Sequence, residues 1–177
     1  DAALLEKLGV KVLYNTEAPA VDVLKKEYDS VILAVGAYKR GELKLEGGEA
    51  QNALAFLEDY NRTNGKMAIG KNVVVIGGGN VAIDVARDSK RCGDSNVSMY
   101  CLESRETMHA SVEEIEEAES EGIQVNCGWG PKEILTEDGK VTGIVLKKCV
   151  SVKDAEGGFN PTYDENETIT VACKHVF

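Results

Sequence analysis

Residues 72–87 read Asn-Val-Val-Val-Ile-Gly-Gly-Gly-Asn-Val-Ala-Ile-Asp-Val-Ala-Arg. A β-branched run, Asn72–Ile76, is broken by Gly77-Gly78-Gly79, and Asn80–Arg91 continues at helical period. That is a strand, a tight turn and a helix. Val97–Leu102 reads as a second strand. Ser111, with Glu114 three residues on, reads as a capping box opening a helix over Val112–Glu121, which Gly122 closes. Ile123-Gln124-Val125 begins a third strand. Strand, helix, strand, helix, strand is one half of a doubly wound sheet, so the expected fold is α/β with a Rossmann-like parallel sheet.

Outward from this centre the pattern changes. Ile134-Leu135 and Val141–Val152 flank Asp138-Gly139, a strong hairpin signal, and Asp154–Gly158 is a further turn. With Thr168–Val171 they predict a small antiparallel meander beside the parallel unit, and His175-Val176-Phe177 reads as a strand just begun. Towards the N-terminus, Leu4, Leu5 and Leu8 predict a short helix ended by Gly9. Val10–Tyr14 and Val31–Val35 predict strands, the second ending at Gly36, and Lys39–Glu49 reads as a loop. Ala50, Ala53, Leu54, Leu57 and Tyr60 predict an amphipathic helix, with a linker over Asn61–Gly70.

Composition narrows the function classes. The chain has 177 residues, 43% hydrophobic and 28% charged, with 20 Lys and Arg against 30 Asp and Glu, a formal charge of −10. That balance repels phosphate backbones and argues against nucleic acid as a partner. The longest apolar stretch is far short of a bilayer span of about 20 residues, so no membrane association is expected. Five cysteines at wide, irregular gaps, without Cys-x-x-Cys, give no sign of a redox dithiol or metal site; a reducing cytoplasm is the simplest setting.

The chemistry-bearing pattern is Gly77-x-Gly79-x-x-Ala82 between a strand and a helix. Gly77 allows the tight turn, Gly79 lacks a Cβ that would block a pyrophosphate, and Ala82 lets the helix lie close to the strand. The helix N-terminus offers amide N–H groups and a positive dipole end, so a strongly acidic chain can still hold an anionic dinucleotide. The alternative is a glycine turn without a ligand. Gly78, Asn80 and Val81 complete the candidate site, with Asn80 either reaching the cofactor or capping its own helix. At the end of the second strand Glu103 suits a free ribose 2′-hydroxyl, Arg105 would suit a 2′-phosphate, and Ser104 lies between them; the alternative is that both charges are solvated in a loop. The Glu113–Glu121 run is most simply a solvated helix face. His109 and His175 lack a nucleophile at suggestive spacing, and no catalytic side chain and no metal ligand is expected.

Residues 72–87 resemble the NADPH-binding segment of the glutamate synthase small subunit and related two-dinucleotide flavoproteins, including the flavin domains of dihydropyrimidine dehydrogenase. Upstream, Tyr28–Ala37 looks like that family's strand closing the flavin domain, and Ala53-x-x-Phe56-Leu57 like its crossover helix; Gly36 joins the candidate cofactor residues on this basis. Downstream, Met108, Glu114 and Glu121-Gly122-Ile123 match. The resemblance implies a partial flavin-domain segment with crossover over residues 1–65 and an NAD(P)H-binding domain over 66–177. It implies hydride transfer from NAD(P)H to FAD and an electron-accepting partner subunit or iron–sulfur domain. FAD is expected in a full-length parent and not in this fragment, which begins after one flavin motif, stops before the second, and is expected to be inactive alone. Other readings are another electron-transfer flavoprotein of the same layout and a nucleotide-binding module without catalysis. Glu103 and Ser104 stand where the family carries adjacent arginines, and His109 where it carries proline. The resemblance favours NADPH while the local chemistry leans to NADH, so weak discrimination with a small edge to NADH is expected.

Overall fold

A computed structural model describes residues 2–36, 43–93 and 96–177. The chain divides into two compact units, Asp1–Lys39 and Arg40–Phe177.

The first unit holds α1 (Ala2–Lys7) and α2 (Val21–Glu27). Gly9 follows α1 with φ +81°, as a left-handed helix stop requires. The strands expected at Val10–Tyr14 and Val31–Val35 are absent: both segments are irregular, and Ile32 and Val35 are 89% and 79% exposed. A β-strand exists by pairing, and the described residues of this unit offer neither run a partner ladder. Helix α2 falls where no element was anticipated.

The second unit begins with a short hairpin, β1 (Lys44–Leu45) and β2 (Gly48–Glu49), within the stretch expected to be loop; residues 39–42 of that stretch lie outside the described residues. Helix α3 (Ala53–Arg62) starts later than its apolar spacing suggested, because the Asn52 side chain caps it by accepting from the Ala55 amide at 2.9 Å. Then follow β3 (Val73–Ile76), α4 (Asn80–Arg91), β4 (Val97–Cys101), α5 (Val112–Ser120) and β5 (Gln124–Cys127). Three long strands come next, β6 (Trp129–Glu137), β7 (Lys140–Lys153) and β8 (Phe159–Ala172), before β9 (His175–Val176).

Strands β3, β4, β5 and β9 form one parallel sheet in the order β5-β4-β3-β9, with Ile76 opposite Tyr100 and Cys101 opposite Cys127. The antiparallel meander β6-β7-β8 takes the place of a crossover helix between β5 and β9. Its first hairpin turns on Asp138 and Gly139, both at positive φ (+50° and +72°).

Alternation along β3 explains the layering. Val73 and Val75 join Ile83, Val85, Met99, Ile115 and Phe177 in a core beneath the helices. Val74, one residue out of phase, joins Tyr100, Ile134, Ile144 and Leu146 beneath the meander. Helix α3 seals the first core through Phe56, whose ring lies 4.8 Å from that of Phe177. The parallel sheet is thus covered on both faces, and its strand ends remain for function.

Candidate functional site

The glycine turn lies at the C-terminal end of β3. Gly77 has φ +142°, a conformation open to glycine, and its amide donates to the Tyr100 carbonyl at 2.9 Å, holding the turn against β4. A Cβ on Gly77 would stand 3.3 Å from the Ala82 Cβ, so a small residue at 82 is what lets α4 approach. A Cβ on Gly78 would meet the Glu103 carboxylate at 2.9 Å. Gly79 differs from both. Its φ is −101°, which any residue adopts, and a Cβ there would have no atom of the described residues within 4 Å. Nothing among the described residues demands glycine at 79.

Gly79 is also the N-cap of α4, and no side chain caps the helix. Ala82 and Ile83 both donate to the Gly79 carbonyl. Asn80, weighed above as a cap for its own helix, does something else: its Oδ1 accepts from the Ser111 amide at 3.0 Å. The Gly78 carbonyl likewise accepts from the Ala110 amide at 2.9 Å. These two bonds pin the start of α5 to the turn and leave the first turn of α4 with its positive dipole end uncapped. Val81, nearly half exposed, lies in that turn.

Glu103 follows β4, and its carbonyl accepts from the Gly128 amide at 3.0 Å. Its side chain is only 13% exposed, and one carboxylate oxygen lies 3.3 Å from His109 Nδ1. Ser104 opens a short 3-10 turn, Arg105–Thr107, where Thr107 Oγ1 accepts from the Ser104 amide at 3.1 Å. Arg105 donates twice to Glu119 on α5, at 2.6 and 2.8 Å. The fold thus brings Glu103 onto Gly78 and lines one cleft with Gly77, Gly78 and Glu103, while Arg105 turns to α5. Gly36 belongs to the first unit, where its φ is +74°.

Two clefts meet at Leu102 and Glu103. One, about 330 Å³, lies against the glycine turn and is bordered by Trp129, Phe159 and Tyr163. The other, about 610 Å³, runs from Ser104 and His109 to Lys148 and Lys153 of β7. Sequence reading missed the β7 lysines, which reach this place through the meander, more than 40 residues along the chain from Glu103, with no local signal. A third cleft, about 270 Å³, lies at the opposite strand ends around Asn72, Asn96 and Gln124, away from the helix N-terminus.

Burial, with the neighbouring Cys127 sulfur 3.8 Å away and Glu103 adding to it, pushes the Cys101 thiol up to about 12. Among the described residues no group of His, Cys, Asp or Glu could hold a metal ion, and no helix is long and apolar enough to cross a membrane. The acidic run is not a bare solvated face: Glu114, Glu117 and Glu121 converge on Arg87 at 3.2, 2.7 and 2.8 Å, locking α5 to α4.

A parallel sheet with an open glycine turn and an uncapped helix at its strand ends agrees with what sequence comparison finds. The profile described as pyridine nucleotide-disulphide oxidoreductase matches residues 3–159. The chain belongs to the pyridine nucleotide-disulphide oxidoreductase family. It is 30% identical over 189 residues to the NADPH-Fe(3+) oxidoreductase subunit beta of Geobacter sulfurreducens, covering 99% of this chain and 28% of that protein. It is 32% identical over 164 residues to the glutamate synthase (NADPH) small chain of Azospirillum brasilense, covering 84% of this chain and 34% of that one. The chain therefore spans about a third or less of the length of these relatives. Among solved structures, Mycobacterium tuberculosis FprA in complex with NADPH shares the fold, with a TM-score of 0.65, 20% identity, and 88% of this chain and 50% of that chain covered.

Proposed function

We propose that this chain is the pyridine-nucleotide-binding part of a flavoprotein oxidoreductase of the glutamate synthase small-subunit type. The observation that carries the reading is Gly79: a glycine that no contact among the described residues requires, at the N-terminus of a helix that no described side chain caps. A dinucleotide pyrophosphate fits that cradle, since it needs a missing Cβ, unshared amides and a positive dipole end together.

On this reading Gly77, Gly78 and Gly79 shape the cradle, the first-turn amides at Asn80 and Val81 face the phosphates, and Ala82, whose own amide donates to the Gly79 carbonyl, lets the helix lie close to the turn. Glu103, Ser104 and Arg105 border the adenosine ribose. Residues 66–177 form the nucleotide-binding domain, while residues 1–65 carry a flavin-domain segment with Gly36 at its cofactor edge, and the crossover helix α3. When bound, the nucleotide supplies a hydride from nicotinamide C4, directed to N5 of an FAD held mainly by segments outside these 177 residues. The chain's own residues bind, orient and position; none acts as acid, base or nucleophile, and alone it turns nothing over.

In the longer protein the electrons pass to a partner subunit or iron–sulfur domain, in the glutamate synthase case for reductive amination of 2-oxoglutarate. The Geobacter relative, matched over 99% of this chain, favours a second reading, an electron-transfer flavoprotein of the same layout with another acceptor. A reducing cytoplasm suits five free thiols. Titrating NADH and NADPH into the purified chain tests the proposal: saturable binding that is lost in Gly79→Val supports it, and unchanged binding in that variant contradicts it.

A further inference from the structure

We infer that the site selects the coenzyme lacking a 2′-phosphate, NADH over NADPH, and that Glu103 is the residue that decides it. The inference rests on the dinucleotide reading of the glycine turn. The Glu103 carboxylate hangs over that turn, so close that a Cβ on Gly78 would meet it at 2.9 Å. It is mostly buried, and its backbone is fixed by the Gly128 amide. In a dinucleotide fold the adenosine ribose passes this point. A carboxylate there accepts hydrogen bonds from ribose hydroxyls, whereas to a 2′-phosphate it offers like charge and no donor.

The cations nearby do not reverse that sign. Arg105 spends both terminal nitrogens on Glu119, at 2.6 and 2.8 Å, and a guanidinium engaged in such a two-point pair loses it on reaching for a phosphate. His109 sits on the Glu103 carboxylate itself, at 3.3 Å. Lys148 lies over the Trp129 ring, 4.9 Å from its centroid, and Lys153 is exposed near the far end of the same cleft. Among the described residues Glu103 is the one charged side chain within 4 Å of a Cβ placed on any of the three turn glycines, and it is negative.

The test is calorimetric titration of NADH and of NADPH into the 177-residue chain, Glu103→Gln and Glu103→Ala. The wild type binds NADH at least threefold more tightly than NADPH. Glutamine keeps the size and an acceptor but removes the charge, so it moves the NADH-to-NADPH ratio at least threefold towards NADPH. Alanine, the second variant should glutamine perturb the turn, moves it the same way. A wild-type ratio below threefold or in favour of NADPH, or a ratio that moves less than threefold in both variants, overturns the assignment while the dinucleotide site stands. Binding of neither coenzyme to the folded wild type overturns the dinucleotide reading, and the inference with it.

Discussion

The Asn80 side chain accepts from the Ser111 amide at 3.0 Å, so the first residue of α4 holds the N-cap of α5. Together with the Ala110-to-Gly78 bond, this ties the glycine turn to the loop that carries Glu103 and His109. Asn80→Ala removes the acceptor and leaves the Ser111 amide to solvent. It is expected to cost about 0.5–1 kcal/mol, seen as a fall of about 2 °C in thermal unfolding, with a few-fold loss in dinucleotide affinity. Unchanged stability and affinity would show that the tie is incidental.

Gly77 and Gly79 are two residues apart and should fail differently. Gly77→Ala forces a side chain into φ +142° and towards Ala82, and is expected to destabilise the fold by about 1–3 kcal/mol. Gly79→Val meets no atom of the described residues at its Cβ and has an ordinary φ, so stability should hold while dinucleotide binding is lost. Thermal unfolding beside calorimetry separates the two, and a Gly79→Val protein that unfolds early would refute the contrast.

The α4–α5 clamp predicts an acid dependence. Burial alone would raise the Glu121 carboxyl, but the hydrogen bonds and charges of Arg87 and Arg91 together outweigh it and hold it below its ordinary 4.5. A lowered carboxylate contributes stability that is complete above 4.5 and is lost as pH falls through the folded value. Arg87→Met should cost about 1 kcal/mol near neutrality, and should flatten the loss of stability between about pH 5 and pH 3. Equal pH slopes in both proteins, from chemical unfolding, would remove Glu121 from this role.

Burial raises the Cys173 thiol to about 11, and burial with Cys127 and Glu103 beside it raises Cys101 to about 12. Thiolate is the nucleophile, so native Cys101 and Cys173 should resist iodoacetamide at about pH 8 and react once denatured. Mass mapping of the alkylated peptides reads this directly; labelling of either in the native chain at the rate of a free thiol would contradict it.

What the sequence made legible was local. Strand, glycine turn and helix over residues 72–91 sit within one run, and Ser111 announces its own cap by accepting from the Glu114 amide. Asp138-Gly139 announces a hairpin, though not strands as long as β7 and β8. Pairing across distance was not legible. Val31–Val35 has the composition of a buried strand, but composition supplies no partner, and it is irregular here. The acidic run looks solvated until Arg87, 27 residues before Glu114, is placed beside it. The sequence leaves the roles of Asn80 and Arg105 open, because nothing in the chain's order shows that Ser111 and Glu119 take up their polar atoms.

The central claim, that a dinucleotide lies across the glycine turn, is tested most directly by mapping amide chemical shifts of the isotope-labelled chain during titration with NADH. The account predicts saturable shifts that are largest at Gly78, Gly79, Asn80, Val81 and Ala82, with a second group at Glu103 and Ser104. Shifts absent from the turn, or gathered instead around Asn72, Asn96 and Gln124 at the opposite strand ends, would contradict it.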